Sequence, residues 1–160
     1  MPSLMSLKQH EGPGLPVLPP LPYLAVLFAA IGLNYLGPIA PLPGKWGIVV
    51  GVFLIVLGTI LLPPALVRFR RAGTPFHPHK PASALITDGP YRYSRNPAYV
   101  TLTLWYLGIA FLLNNGWVLL LVPGPLLVMD RCIIPREEQH LEAKFGEEYR
   151  RYKSMVRRWL

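Results

Sequence analysis

The stretch that decides the fold is "WGIVVGVFLIVLGTILLPPALV", residues 46 to 67. It contains no charged side chain, and as a helix it is long enough to cross a bilayer core, which takes about 20 mostly apolar residues. Pro63 and Pro64 fall near its end, where proline kinks or terminates a helix. The stretch therefore predicts a transmembrane helix that is kinked or ends close to the two prolines.

Three further apolar segments flank this one along the chain. They are "LPYLAVLFAAIGLNYLG" (21–37), "AYVTLTLWYLGIAFLL" (98–113) and "WVLLLVPGPLLVMDRCII" (117–134). The short Asn-Asn-Gly link at 114–116 is typical of a tight turn, so the last two segments should form a helical hairpin. The Pro-Gly-Pro at 123–125 predicts a kink in the final span.

The amino-acid composition is typical of an integral membrane protein. Of its 160 residues, 52% are hydrophobic and 15% are charged, against roughly 25% charged in soluble domains. We predict an all-α integral membrane helical bundle of about four transmembrane helices plus a C-terminal amphipathic helix. Residues 1–160 should form one domain, with 1–20 as a retained N-terminal lead-in.

The basic charge is distributed as expected for a multi-pass membrane protein. The net charge is +8, and of the 16 Lys and Arg residues only Lys45 falls in the links between the first and second spans or within the hairpin. The positive-inside rule then predicts both termini and the 68–97 loop on the cytosolic side. We expect attraction to anionic membrane lipid and no nucleic-acid partner, because no binding motif accompanies the charge.

The C-terminal region changes character after Pro135. Between residues 136 and 160, apolar side chains recur at steps of three and four, while basic and acidic side chains occupy the remaining positions. This spacing predicts one amphipathic helix suited to lying at the headgroup level. The apolar positions are Leu141, Phe145, Tyr149, Tyr152, Val156 and Trp159.

A dense polar and aromatic cluster, "DGPYRYSRNPAY", precedes the third span at residues 88–99. Asn96 followed by Pro97 is typical of a helix start, with the Asn side chain as cap. Arg92 and Arg95 beside a helix N-terminus favour an anion site. The tyrosines at 91, 93 and 99 supply flat faces for an adenine ring or a sulfonium. Anchoring at the membrane interface explains the same residues, so both interpretations stay open at this point.

A second cluster lies at the end of the fourth span. Two adjacent carboxylates, Glu137 and Glu138, could bind a cation, accept a hydrogen bond from a ribose or accept a proton; the alternative is simple pairing with nearby arginines. The other charged members are Asp130, Arg131, Arg136 and His140.

Two other patterns give no prediction of a site. His77 and His79 have a metal-like spacing but no strong third ligand, so no metal site is expected. Ser94 and Cys132 have no evident base, so covalent catalysis is not expected either.

Four motifs follow one another along the chain: Gly89-Pro90-Tyr91, Arg95-Asn96-Pro97-Ala98-Tyr99, Glu137-Glu138, and the Phe145-Gly146 pair followed by Tyr149 and Tyr152. Their order resembles the isoprenylcysteine carboxyl methyltransferase family and its relatives, the phospholipid N-methyltransferases and bacterial thiol methyltransferases. The resemblance covers residues 66–158 and includes one departure, because Asn96 stands where the family usually has His. Asn cannot shuttle a proton near neutral pH as His can.

The resemblance implies a membrane methyltransferase that uses S-adenosylmethionine. The cofactor would enter from the cytosol, and the acceptor would be lipophilic or small, with the carboxylate of a prenylated cysteine as one possibility. The alternatives are an NADPH-dependent membrane reductase and a non-catalytic membrane protein with the same hairpin. By match to the motifs, the cofactor-binding candidates are Ile86, Gly89, Tyr91, Arg95, Asn96, Pro97, Tyr99 and Glu138, and the catalytic candidates are Arg95, Glu137 and Glu138.

Overall fold

The computed structural model describes residues 14–42, 45–74 and 83–160. Within these ranges the regular structure is entirely helical, which confirms the predicted all-α class. The helices are α1 (Pro20–Leu36), α2 (Trp46–Arg71), a 3₁₀ turn (Gly89–Arg92), α3 (Pro97–Leu112), α4 (Gly116–Leu120), α5 (Pro123–Val128), a π-helical turn (Met129–Ile133), α6 (Ile134–Phe145) and α7 (Glu147–Met155).

Two helical stretches are long and apolar enough to cross a membrane. They are Trp46–Arg71 and Gly116–Phe145, while Pro20–Leu36 and Pro97–Leu112 are shorter apolar helices. Large apolar side chains, such as Phe28 and Phe53, are exposed on the outside of the bundle, which suits a lipid environment. The count of four spans and their orientation stay predictions.

Close packing of α2 against α3 forms the centre of the bundle. Gly51 and Gly108 face each other, and a Cβ on Gly108 would lie 2.9 Å from the backbone oxygen of Gly51. Small residues at a helix crossing let two backbones approach closely, which is how helices associate where lipid removes the hydrophobic drive. This contact fixes the position of α3, whose N-terminal end carries much of the first polar cluster.

The turn before α4 is docked onto the first helix. Asn114 adopts a positive φ of 48°, and the side chain of Asn115 accepts a hydrogen bond from the Trp117 backbone at 3.0 Å. The Asn115 amide also donates to the carbonyl of Ala30 in α1 at 3.2 Å. The tight turn predicted from the Asn-Asn-Gly sequence is therefore present.

One prediction about a helix end is corrected by the structure. Pro63 and Pro64 do not end α2, which continues to Arg71. The helical stretch Gly116–Phe145 is interrupted just before Pro123, where a kink was predicted, and the fourth apolar segment divides there into α4, α5 and the π-helical turn. The third helix starts at Pro97, as predicted.

The C-terminal region also differs from the single amphipathic helix predicted. Gly146, with a φ of 54°, separates α6 from α7, and α7 ends at Met155. The predicted apolar face is covered by protein rather than left for lipid, because Tyr149 and Tyr152 are buried against Ala65 and Tyr91. Regular spacing predicts that a face is buried, but not what buries it.

Candidate functional site

A cavity of about 460 Å³ lies between α2, α3, α6 and α7. Its size is within the range of small-molecule sites in proteins. It brings together both polar clusters, which are about forty positions apart in the sequence. Of the residues predicted for the site, those that line it are Ile86, Tyr91, Arg95, Asn96, Pro97, Tyr99, Glu137 and Glu138.

Arg95 and Glu138 form a buried ion pair in this cavity. Nη1 of Arg95 lies 2.9 Å from Oε1 of Glu138, and the two side chains are only 10% and 7% exposed. The distance between these two atoms is that of an ion pair, but their geometry is not that of a hydrogen bond. Within the part of the chain that the structure describes, Nε and Nη1 of Arg95 are buried without a hydrogen-bond partner. Buried donors without a partner are costly, so these two are suited to bind an anionic or oxygen-rich ligand.

Two tyrosines complete the polar side of the cavity. The Tyr99 hydroxyl donates to Oε1 of Glu137 at 2.5 Å. The pKa of the Tyr149 hydroxyl is raised to about 12, first by burial and then by the negative charge of Glu138, while Arg95 acts in the opposite direction. Tyr149 is therefore a neutral hydroxyl at physiological pH, and its ring adds an aromatic face to the cavity.

The side chain of Asn96 does not act as predicted. The residue precedes α3, but among the described residues its side chain makes no capping hydrogen bond. Instead, Nδ2 donates to the carbonyl of Arg158 at 2.9 Å, and the Ser94 hydroxyl donates to the same carbonyl at 3.4 Å. The amide thus ties the start of α3 to the C-terminal segment, a contact that no local sequence pattern predicts.

Half of the first cluster lies outside the cavity lining that the described residues form, including Gly89, Arg92 and Tyr93. Gly89 has a φ of 61°, and a Cβ there would lie 2.9 Å from Nε of Arg68, so this glycine allows the turn and does not contact the cavity. Arg92 is exposed, and Tyr93 is 76% exposed. The predicted anion site therefore contains Arg95 but not Arg92.

Sequence reasoning missed the residue that holds Glu138 most firmly. Arg158 donates from Nε and Nη2 to the two Glu138 oxygens at 3.1 and 2.9 Å, and from Nη1 to Oδ1 of Asp130 at 2.9 Å. Hydrogen bonding to Glu138 raises the pKa of Arg158 further above its already high value. Its position in the basic tail resembled that of a solvent-exposed or lipid-facing cation, and nothing in the local sequence distinguished it from Arg157.

The cavity also has residues that the sequence motifs did not predict. His140 lines it with a buried Nε2 that has no hydrogen-bond partner within the described ranges. The rest of the lining is largely apolar and includes Leu62 of α2 and Leu102 and Trp105 of α3. The site therefore combines a few charged side chains with a largely hydrophobic lining.

Two further sequence patterns concern histidine and cysteine. His77 and His79 lie outside the described residues, and the described ranges contain no group of three or more side chains that could hold a metal ion. Cys132 is exposed.

The described geometry defines an all-helical protein with a buried ion pair in a partly apolar cavity. The family model described as phospholipid methyltransferase matches residues 46–148, which is more than half of the chain. The chain therefore belongs to this methyltransferase family, and the resemblance to isoprenylcysteine carboxyl methyltransferases is confirmed.

Individual relatives agree with this family assignment. The chain is 29% identical over 143 residues to protein-S-isoprenylcysteine O-methyltransferase B of Arabidopsis thaliana, covering 83% of this chain and 70% of the relative. It is 39% identical over 72 residues to protein-S-isoprenylcysteine O-methyltransferase of Schizosaccharomyces pombe, covering 45% of this chain and 30% of that protein. An uncharacterized protein of Haemophilus influenzae is 48% identical over 62 residues, 39% of this chain and 98% of the relative. No solved structure matches the chain.

Proposed function

We propose that this chain is an integral membrane methyltransferase that uses S-adenosylmethionine and transfers its methyl group to a lipophilic acceptor. The observation that carries the proposal is the buried Arg95–Glu138 pair in a cavity whose remaining lining is largely apolar. A polar cofactor and a lipophilic acceptor need these two environments side by side. The names of the relatives support a prenylated cysteine carboxylate as the acceptor.

The residues present fit the cofactor. The unsatisfied Nε and Nη1 of Arg95 would bind its carboxylate or the oxygens of its ribose. Glu138 would attract its ammonium or accept from a ribose hydroxyl, and Tyr91 and Tyr149 would contact its flat base. When bound, the cofactor supplies a methyl group on a positively charged sulfur.

The protein's part in the reaction would be alignment and the exclusion of water. Methyl transfer is an in-line displacement, which depends on holding the acceptor atom and the methyl group in line. The aliphatic and aromatic walls of the cavity would keep bulk water from the reacting atoms. We propose that the acceptor enters from the bilayer, since part of the apolar lining comes from the apolar helices α2 and α3.

Whether the reaction needs a general base depends on the methyl acceptor. A carboxylate or thiolate acceptor needs no base, so Asn96 in place of the family's His would cost nothing. An amine acceptor must lose a proton. Glu138 is already engaged by two guanidinium groups, those of Arg95 and Arg158. Glu137, whose contact is the neutral hydroxyl of Tyr99, would be the acceptor instead.

Cofactor binding can be tested by isothermal titration with S-adenosylhomocysteine in detergent. We expect Arg95→Ala and Glu138→Gln each to weaken binding by tenfold or more, which is about 1.4 kcal/mol. The matched controls are Arg92→Ala, an exposed arginine in the same loop, and Glu142→Gln, a more exposed glutamate one turn further along α6. Unchanged affinity in both site variants would contradict the assignment. Stabilisation of the wild type by NADPH but not by S-adenosylhomocysteine would favour a reductase instead.

The acceptor can be identified by transfer of a tritiated methyl group. The panel consists of a farnesylated cysteine, a phospholipid amine and a small thiol. We expect the farnesylated cysteine to be labelled, and labelling of either other compound alone would reassign the acceptor.

The proposed orientation, with both termini and the cofactor site facing the cytosol, can be tested with single cysteines. In a Cys132→Ser background, Ser154→Cys places a single thiol on α7, and Tyr35→Cys places one near the C-terminal end of α1, which is predicted to lie on the other side of the membrane. A membrane-impermeant maleimide added to intact cells should label the Tyr35→Cys variant and leave the Ser154→Cys variant unlabelled. The opposite pattern would invert the topology.

A further inference from the structure

The last residues of the chain, 156–160, return across the start of α3. The backbone N–H of Arg95 donates to the carbonyl of Arg157 at 3.0 Å. The side chains of Asn96 and Ser94 donate to the next carbonyl, that of Arg158. These hydrogen bonds attach the segment to the loop that carries Arg95.

The side chain of Arg158 connects this segment to α6 and the π-helical turn. Nε and Nη2 of its guanidinium group, which together form a fork, donate to the two oxygens of Glu138, and Nη1 donates to Asp130. The indole N–H of Trp159 adds a contact to the same Asp130 oxygen at 3.3 Å. A guanidinium that donates two parallel hydrogen bonds sets both the distance and the rotation of a carboxylate, which a single point charge cannot do.

Arg95 does not orient Glu138 in this way. It approaches one carboxylate oxygen at 2.9 Å, without hydrogen-bond alignment from that nitrogen. The rotation of the Glu138 carboxylate is therefore determined by Arg158, which leaves Arg95 donors available to a ligand.

We propose that Arg158 is a positioning residue of the cofactor site, which holds Glu138 in the orientation that binds the cofactor and leaves Arg95 free to bind it too. This inference rests on the proposed function, since it assumes that Glu138 contacts the cofactor. Residues 156–160 are then a part of the binding site, although Arg158 itself does not line the cavity that the described residues form.

The test is a double-mutant cycle in S-adenosylhomocysteine affinity with Arg158→Ala and Glu138→Gln. Two mutations that act through the same contact are not additive. We expect Arg158→Ala to weaken binding tenfold or more in the wild-type background and less than threefold in the Glu138→Gln background. Arg158→Lys keeps the charge but not the fork, so we expect it to lose most of the same affinity. Arg151→Ala, which removes an exposed cation from α7, should change affinity less than twofold.

The outcomes separate this inference from the proposed function. If the wild type binds and Glu138→Gln weakens binding, but Arg158→Ala leaves affinity unchanged or acts additively, the positioning role is wrong and the site stands. Wild-type affinity in Arg158→Lys would contradict the role of the fork even if Arg158→Ala does not fold. If the wild type itself does not bind S-adenosylhomocysteine, the proposed function fails and this inference fails with it.

Discussion

Replacing Glu138 by Gln removes the one negative charge that lies between two arginines. The glutamate side chain is 7% exposed and has three nitrogen atoms of Arg95 and Arg158 within 3.1 Å. The amide keeps the shape of the carboxylate and can still accept a hydrogen bond, so the change tests charge more than packing. It leaves the two guanidinium groups close together without their shared counterion.

The expected cost can be estimated from the burial of the partners. Removing one member of a buried ion pair typically costs 3–5 kcal/mol, because the other charge stays desolvated. Arg158 is 30% exposed and partly hydrated, which places the expected cost near the lower end, about 3 kcal/mol. Glu142 is the matched comparison, since it also contacts two cations, Arg150 and Lys153, but is 37% exposed. For such an exposed pair the cost should stay below about 1 kcal/mol.

The assay is thermal unfolding of the ligand-free protein in one detergent, followed by tryptophan fluorescence. For a chain of this length, about 3 kcal/mol lowers the apparent Tm by about 10 °C. We expect this decrease for Glu138→Gln and less than about 3 °C for Glu142→Gln. Adding Arg95→Gln to Glu138→Gln should recover part of the loss, because it removes one uncompensated charge. Equal decreases in the two single variants, or a double variant less stable than Glu138→Gln alone, would refute the reasoning.

Two further predictions concern stability in the same assay. Gly108→Ala should destabilise the protein by about 2 kcal/mol, because a Cβ there would lie 2.9 Å from a backbone oxygen of α2. The control Gly32→Ala should be nearly neutral, because a Cβ at Gly32 would have no atom within 4 Å among the described residues. Equal effects of the two substitutions would contradict close packing of α2 against α3. Tyr152→Phe removes a buried 2.7 Å hydrogen bond to the Tyr91 carbonyl and should cost about 1 kcal/mol. The exposed Tyr93→Phe should cost nothing measurable, and a similar Tm for both tyrosine variants would show that this bond does not contribute.

Much of the fold could be predicted from the sequence because its signals are local. Long apolar runs are enough to predict α2, and the Asn96–Pro97 pair was enough to predict where α3 begins. Proline was a less certain guide. It was expected to end or kink α2, and the helix does not end there but continues through Pro63 and Pro64, whereas Pro123 starts a new helix after a break. Whether a proline ends a helix depends on whether neighbouring groups can satisfy the freed carbonyls, which is a property of the packed structure.

By itself, the sequence determined the all-helical class, the family and several of the residues that line the cavity, because apolar runs and ordered motifs depend only on neighbours along the chain. Only the tertiary structure decided which charges meet. It paired Arg95 with Glu138, placed Arg92 in an exposed position and brought Arg158 from the basic tail onto Glu138. The sequence does not distinguish one arginine from another. The folded structure does, because it buries some guanidinium groups away from water and leaves others hydrated.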